Sequence, residues 1–333
     1  MTRNWFGRLF LLLAGIMALV PDAAPWAADK ELNVIAAYNA KQDIFDAFSK
    51  ATGIKVNQLD MSSGEVLARM RAEKGRPLAD VWFGGGVDAF IAAKKDGLLE
   101  PYVSPQAANI AEKYKDAEGY WTGISLVTVD FVVNTRILKE RGIPVPETWE
   151  ALTAPEFKGE ISMSDPSISG TAYFTLYSVL AARGKEKGWD FFAKLAENIP
   201  YYAKRGSEPP QRAAMGESLV GLAPGLWPEL QAQGYPIAYV FPKDGIPWWP
   251  APVAIFKDAE HMEAAKALVD WALSKQGQEL LKTKDPRFPT RADVAPPESL
   301  AGIDTSTFIP MDFLKAGEER AEVLKTWQER FAK

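Results

Sequence analysis

MSSGEVLARMRAEKGRPLADVWFGGGVDAFIAAKKDGLLEPY, residues 61–102, holds two kinds of text that take turns. Ser62 or Ser63 caps a helix that carries Glu65 in its first turn and turns Val66, Leu67 and Met70 inward. ADVWFGG then reads as a short buried strand, and GVDAFIAAKKDG as the next helix. Upstream, ELNVIAAYNA opens with a strand, DIFDAFSKATG sets Ile44, Phe45 and Phe48 on one helical face before Gly53, and IKVNQLDM is a second strand. Strands alternating with helices predict an α/β fold with a largely parallel sheet. Ligands gather outside the carboxyl ends of such strands. The turns AYNA, MSSG and WFGGG therefore face one crevice, and they supply Tyr38, Asn39, Ser62, Ser63, Gly64, Trp82, Gly84 and Gly85 as candidate contacts. Tyr38 and Asn39 read equally well as a packed ring and a turn-forming residue. The glycine triplet 84–86 lacks the spacing of a nucleotide-phosphate loop and suits a close approach of backbone to the crevice.

WTGISLVTVDFVVN, from Trp121 to Asn134, is a long β-branched run without a helix, as expected of a chain leaving one lobe for another. PWWPAPVAIF, 247–256, is the extended stretch that brings it back. The expected organisation is a discontinuous N-terminal lobe, 29–128 with 253–333, and a C-terminal lobe, 129–252, with the charged C-terminal tail completing the first lobe. Residues 1–28 carry Arg3 and Arg8, an apolar run from Leu9 to Val20 and small residues from Ala23 to Ala28. That pattern is a secretory signal peptide, too short in its apolar part to span a bilayer, with no sharp cleavage site; an uncleaved anchor stays open. It sends the protein to the periplasm. The chain has no cysteine, so neither disulfides nor lipidation on cysteine arise. A formal net charge of -5 points to neither nucleic acid nor an anionic membrane as partner. With one histidine and no cysteine, a hydrolytic triad or zinc centre has little to work with, and neither enzyme chemistry nor a metal or cofactor is expected.

DPSISGTAYFTL, 165–176, places small hydroxylated residues directly before an apolar helix. Ser167, Ser169 and Thr171 are good caps and Gly170 lets backbone come close, so the helix start would offer free N–H groups to an anion. The same residues also read as an ordinary capped helix. Trp227, Trp248 and Trp249 lie in Pro-rich contexts. Their faces could hold the cationic end of a zwitterion with Asp244 as counter-charge, or simply pack the lobe interface.

The ordered set of 61–102, GYWTGI with VVN at 132–134, FKGEISMSDPSISGTAY, and AAKALVDWALSKQGQELL resembles the type II periplasmic solute-binding proteins of ABC importers. The branch is the one that includes ferric-iron-, sugar-phosphate- and phosphonate-binding members. The resemblance implies a two-lobed clamshell, each lobe a mixed, mostly parallel sheet flanked by helices. It implies a monomer that closes on a small solute, catalyses nothing and delivers its cargo to a membrane permease. It also implies that Ser62, Ser63 and Gly64, with Ser167 to Thr171, donate to a phosphate or other anion, and that Trp227 stands where relatives read the rest of the ligand. Ferric-binding relatives carry adjacent tyrosines near that position, where this chain has Leu226-Trp227. Sugar-phosphate-binding relatives tend to carry a His-Asp pair there. The expected ligand is a small organic anion such as a phosphonate or phosphate ester. Ferric iron with a synergistic anion is the alternative, and a sensing module that feeds a kinase is the alternative of another class.

Overall fold

The computed structural model describes residues 30–38, 41–73 and 77–331; the signal-peptide reading of 1–28 and the candidate Asn39 lie outside them. The first half runs β1 (Glu31–Ala36), α1 (Lys41–Thr52), β2 (Lys55–Asp60), α2 (Ser63–Glu73), β3 (Val81–Phe83), α3 (Val87–Lys95) and β4 (Leu99–Glu100). β1 pairs in parallel with both β2 and β3, as alternation of strand and helix requires. The faces are closed by the predicted helical stripes, with Ile44, Phe45 and Phe48 buried on α1 and Val66, Leu67 and Met70 on α2.

The β-branched run forms β5 (Thr122–Asn134), buried at all thirteen positions. It is followed by α4 (Thr135–Arg141), β6 (Ile161–Ser164), α5 (Gly170–Arg183), α6 (Lys185–Glu197), β7 (Tyr202–Ala203), α7 (Glu208–Met215), β8 (Val220–Pro224), α8 (Pro228–Ala232) and β9 (Ile237–Val240). Next come β10 (Trp248–Phe256), α9 (Met262–Leu273), α10 (Lys275–Lys284), β11 (Phe288–Pro289), α11 (Phe313–Glu318) and α12 (Arg320–Phe331). β6 is parallel to β7 and β8, giving the second half its own three-stranded parallel unit.

β5 joins the two units. Up to Thr128 it pairs antiparallel with β10, and from Val129 with β8. β10 lies between β5 and β3, and Pro250 and Pro252, which cannot donate to a ladder, accompany a register shift between Ala251 and Pro252. The strand order is β2-β1-β3-β10-β5-β8-β6-β7. Both lobes thus hang from one pair of long extended strands.

The tail does not simply complete the first lobe. Gly317 of α11 sits against Ile91 of α3, but α12 packs on the second lobe, with Trp327 edge-on to Phe192 and Tyr202 and Phe331 stacked on Trp189. Between the helices Arg320 Nε meets Asp88 Oδ2 of α3 at 2.6 Å, and the Tyr173 hydroxyl of α5 donates to the Ala316 carbonyl. The C-terminal segment is therefore a strap across the two lobes.

Candidate functional site

The two parallel units point their carboxyl ends at one cavity of about 110 Å³. From the first lobe, β1 leads into Ala37 and Tyr38, β2 into Asp60 and Met61, and β3 into Gly85 and Gly86. From the second, β7 leads into Arg205 and Gly206, and β8 ends at Pro224. The amino ends of α1 (Lys41), α2 (Ser62, Ser63) and α5 (Ser169, Gly170, Thr171) complete the wall, and Ser207 precedes α7. Several helices thus bring N-terminal N–H groups and the positive end of their dipoles to one small space, an arrangement that favours a negative charge.

The hydroxyls are locally employed. Ser169 caps α5, accepting from the Ala172 N–H at 3.4 Å, and Ser63 accepts from the Gly86 N–H at 2.8 Å. The Ser62 N–H donates to Glu65 Oε2 at 2.8 Å, half of a capping box. The two helix starts almost touch across the cavity. Gly64 N–H donates to the Ile168 carbonyl at 3.1 Å, and a Cβ on Gly170 would come within 2.9 Å of the Gly86 backbone. Gly85, at φ +104°, occupies backbone space that side chains rarely adopt, and its missing Cβ leaves room for Ser63 Oγ.

Three cations line the wall: Lys41, Arg205 and Arg287. Lys41 and Arg205 both reach Asp60 Oδ2 at 3.2 Å, the second pair joining the two lobes. Arg287 lies over the Tyr38 ring at 4.2 Å, with its Nε 2.9 Å from Asp285. Burial raises the Asp285 carboxyl to about 6 against the lowering influence of Arg287. Burial also raises the Tyr38 phenol, whose oxygen lies 3.0 Å from Ser125 Oγ, so at neutral pH the ring offers no phenolate. Met61, Val127, Pro224 and Trp249 are the apolar part of the wall.

Of the residues singled out from the sequence, Tyr38, Ser62, Ser63, Gly85, Ser169, Gly170 and Thr171 come together here. Gly64 and Gly84 stand behind the wall, the latter donating its N–H to the Pro252 carbonyl. Ser167 closes a local turn through its N–H and hydroxyl to Asp165 Oδ1, at 2.8 and 2.6 Å. The tryptophans and Asp244 need correcting as to place. Trp82 is fully buried and stacked on Phe90, since the strand pleat sends its ring under α3. Trp248 packs among Tyr114, Phe308 and Phe313 and donates to the Ile309 carbonyl. It is its neighbour Trp249, on the opposite face of β10, that reaches the cavity, stacked on Phe174 and bonded to the Gly85 carbonyl. Trp227 lines a separate groove with Met215 and Tyr235. Asp244 accepts from the Trp149 N–H and pairs with Arg183 on the outside of the second lobe. The cation pocket expected from Trp227 and Asp244 is not assembled.

Sequence reasoning missed Lys41, Arg205 and Arg287. Lys41 and Arg205 follow strand ends, which the crevice rule could have flagged; Arg287, in DPRFPTR, carries no pattern of its own. Among the described residues no group of three or more His, Asp or Glu is disposed to hold a metal ion.

This is the architecture of a clamshell receptor, and comparison with known proteins agrees. Residues 76–315 match the family model of the bacterial extracellular solute-binding proteins, and the chain belongs to that family. The family comprises substrate-binding receptors of ABC importers with the type II periplasmic fold. An uncharacterized protein of Haemophilus influenzae is 33% identical over 293 residues, 84% of each chain. A putative 2-aminoethylphosphonate-binding periplasmic protein of Salmonella typhimurium is 25% identical over 307 residues, covering 85% of this chain and 80% of that one. The solved structure of AfuA, a periplasmic binding protein from Actinobacillus pleuropneumoniae with exogenous fructose-6-phosphate bound, superposes with a TM-score of 0.85 at 32% identity. That match covers 91% of this chain and 99% of the other.

Proposed function

We propose that this protein is a periplasmic receptor that captures a small organic anion, a phosphonate or phosphate ester, between its lobes and hands it to an inner-membrane permease. One observation carries the reading: one cavity gathers the amino ends of α1, α2 and α5 together with Lys41, Arg205 and Arg287, and the one carboxylate among its described lining residues, Asp60, is already shared by two of those cations. The acidic head group is held by N–H and hydroxyl donors of Ser62, Ser63, Ser169, Gly170 and Thr171. The lobes then close around it, the paired strands β5 and β10 acting as the hinge. Closure is driven only by contacts that exist in the closed form, because a ligand bound equally by both forms shifts nothing. The names of the AfuA and aminoethylphosphonate-binding relatives support this ligand class.

The test is a thermal-shift screen of the purified protein against phosphonates, phosphate esters, polyols, carboxylates and ferric iron with citrate. A compound present at 100 times its Kd stabilises the fold by about 2.7 kcal/mol. Stabilisation by a phosphonate or phosphate ester, abolished by Ser169→Glu, is the expected result. Stabilisation by ferric iron alone, or none that responds to Ser169→Glu, would overturn the reading.

A further inference from the structure

Arg287 stands out among the three cavity cations. Only 5% exposed, it lies on the cavity wall over the face of Tyr38, and its Nε is 2.9 Å from Asp285 Oδ2 in an ion pair that lacks hydrogen-bond geometry. Lys41 and Arg205 share Asp60, whereas the terminal nitrogens of Arg287 have no hydrogen-bond partner among the described residues. A guanidinium stays charged, and its two terminal nitrogens present a planar edge of N–H groups that matches two carboxylate oxygens side by side. Its counter-ion is buried too, and burial raises the Asp285 carboxyl to about 6 against the lowering influence of Arg287. A charge-assisted pair between that edge and a ligand carboxylate is stronger than a neutral hydrogen bond and fixes the ligand's orientation.

The rest of the wall narrows what such a ligand is. The one carboxylate of the described wall, Asp60, already serves two cations, and a second acidic ligand group suits that balance better than an ammonium group. Met61, Val127, Pro224 and Trp249 suit a short apolar body.

We propose, resting on the anion reading above, that Arg287 receives a second acidic group, so that the preferred solute is a compact two-headed anion, a phosphono- or phospho-carboxylate. The phosphorus-bearing head occupies the helix starts and the carboxylate meets the edge of Arg287. Amino-bearing and single-headed phosphonates are then inferior ligands.

The experiment is calorimetric titration of the purified protein with phosphonoacetate, methylphosphonate and 2-aminoethylphosphonate, repeated on Arg287→Gln. A hydrogen-bonded charge of this kind is worth roughly tenfold or more in affinity. Phosphonoacetate should bind at least that much more tightly than the other two, and Arg287→Gln should erase the preference by weakening phosphonoacetate far more than methylphosphonate. If removing Arg287 strands Asp285 and the variant fails to fold, Arg287→Gln with Asp285→Asn keeps a neutral pair there, and the same affinity ratio decides. Methylphosphonate or 2-aminoethylphosphonate binding as tightly as phosphonoacetate, or Arg287→Gln weakening all three alike, overturns the second-group assignment and leaves the anion site standing. Binding of none of them overturns both.

Discussion

Gly170 has no room for a methyl group, because its Cβ would meet the Cα and N of Gly86 at 2.9 Å, and backbone cannot swing aside as a side chain can. In a helix, Gly→Ala on its own is favourable by about 1 kcal/mol. Gly170→Ala should therefore leave thermal stability near wild type while weakening ligand binding on the order of tenfold or more, since the clash arises only as the lobes meet; calorimetry beside a melting curve separates the two effects. Titration makes a second expectation. Asp130, fully buried in β5, has no side-chain hydrogen-bond partner for either oxygen, and burial raises its carboxyl well above 3.8; Asp285 is raised to about 6. Folding favours the protonated form of both. Their contribution is fully present below the unfolded value near 4 and is lost as pH rises through the folded one. Urea midpoints should fall as pH is raised from about 5 to 8, and Asp130→Asn should flatten that slope; a midpoint independent of pH in the wild type would count against it. At this scale the sequence was legible where local geometry decides: Ser169 and Gly170 read as a helix start, and both line the cavity. Arg287 was not, because a lone charge between prolines says nothing of the buried Tyr38 ring it lies over.

The strap formed by α11 and α12 is the element the sequence hid. Its charged sequence read as a tail completing the first lobe, and only distant partners, Phe192, Tyr202 and Trp189, explain Trp327 and Phe331. Periodicity reports that a face is apolar and is silent on which lobe covers it. Trp327 is 1% exposed, and truncating such a ring costs about 3–5 kcal/mol. Trp327→Ala should lower stability by that amount in a denaturant titration; a change under about 1 kcal/mol would mean that the helix does not hold the second lobe. The long strands were the opposite case. An uninterrupted β-branched run from Thr122 has no local alternative to extended structure, and β5 follows it to Asn134. The short β4, β9 and β11 left no such trace, since two to four residues without alternation become strands only through partners on β5 and β10.

Over the whole molecule, the same carboxyl ends that make each lobe a stable parallel unit also make the site, because only there do helix starts and strand ends converge. Gly64 meets Ile168 and Asp60 meets Arg205 across the gap between the lobes. A ligand that fills the cavity should compact the protein in solution, so the radius of gyration from X-ray scattering should fall on adding phosphonoacetate, with no fall in Gly170→Ala. The central claim is that the solute's acidic head lies among those helix starts. A crystal structure of the protein grown with phosphonoacetate tests it most directly. The account predicts phosphonate oxygens within hydrogen-bonding distance of the Gly170 and Thr171 backbone N–H groups and of the Ser62 or Ser63 side of the cavity. A phosphonate found instead in the groove beside Trp227, or a cavity that stays empty at saturating ligand, would contradict it.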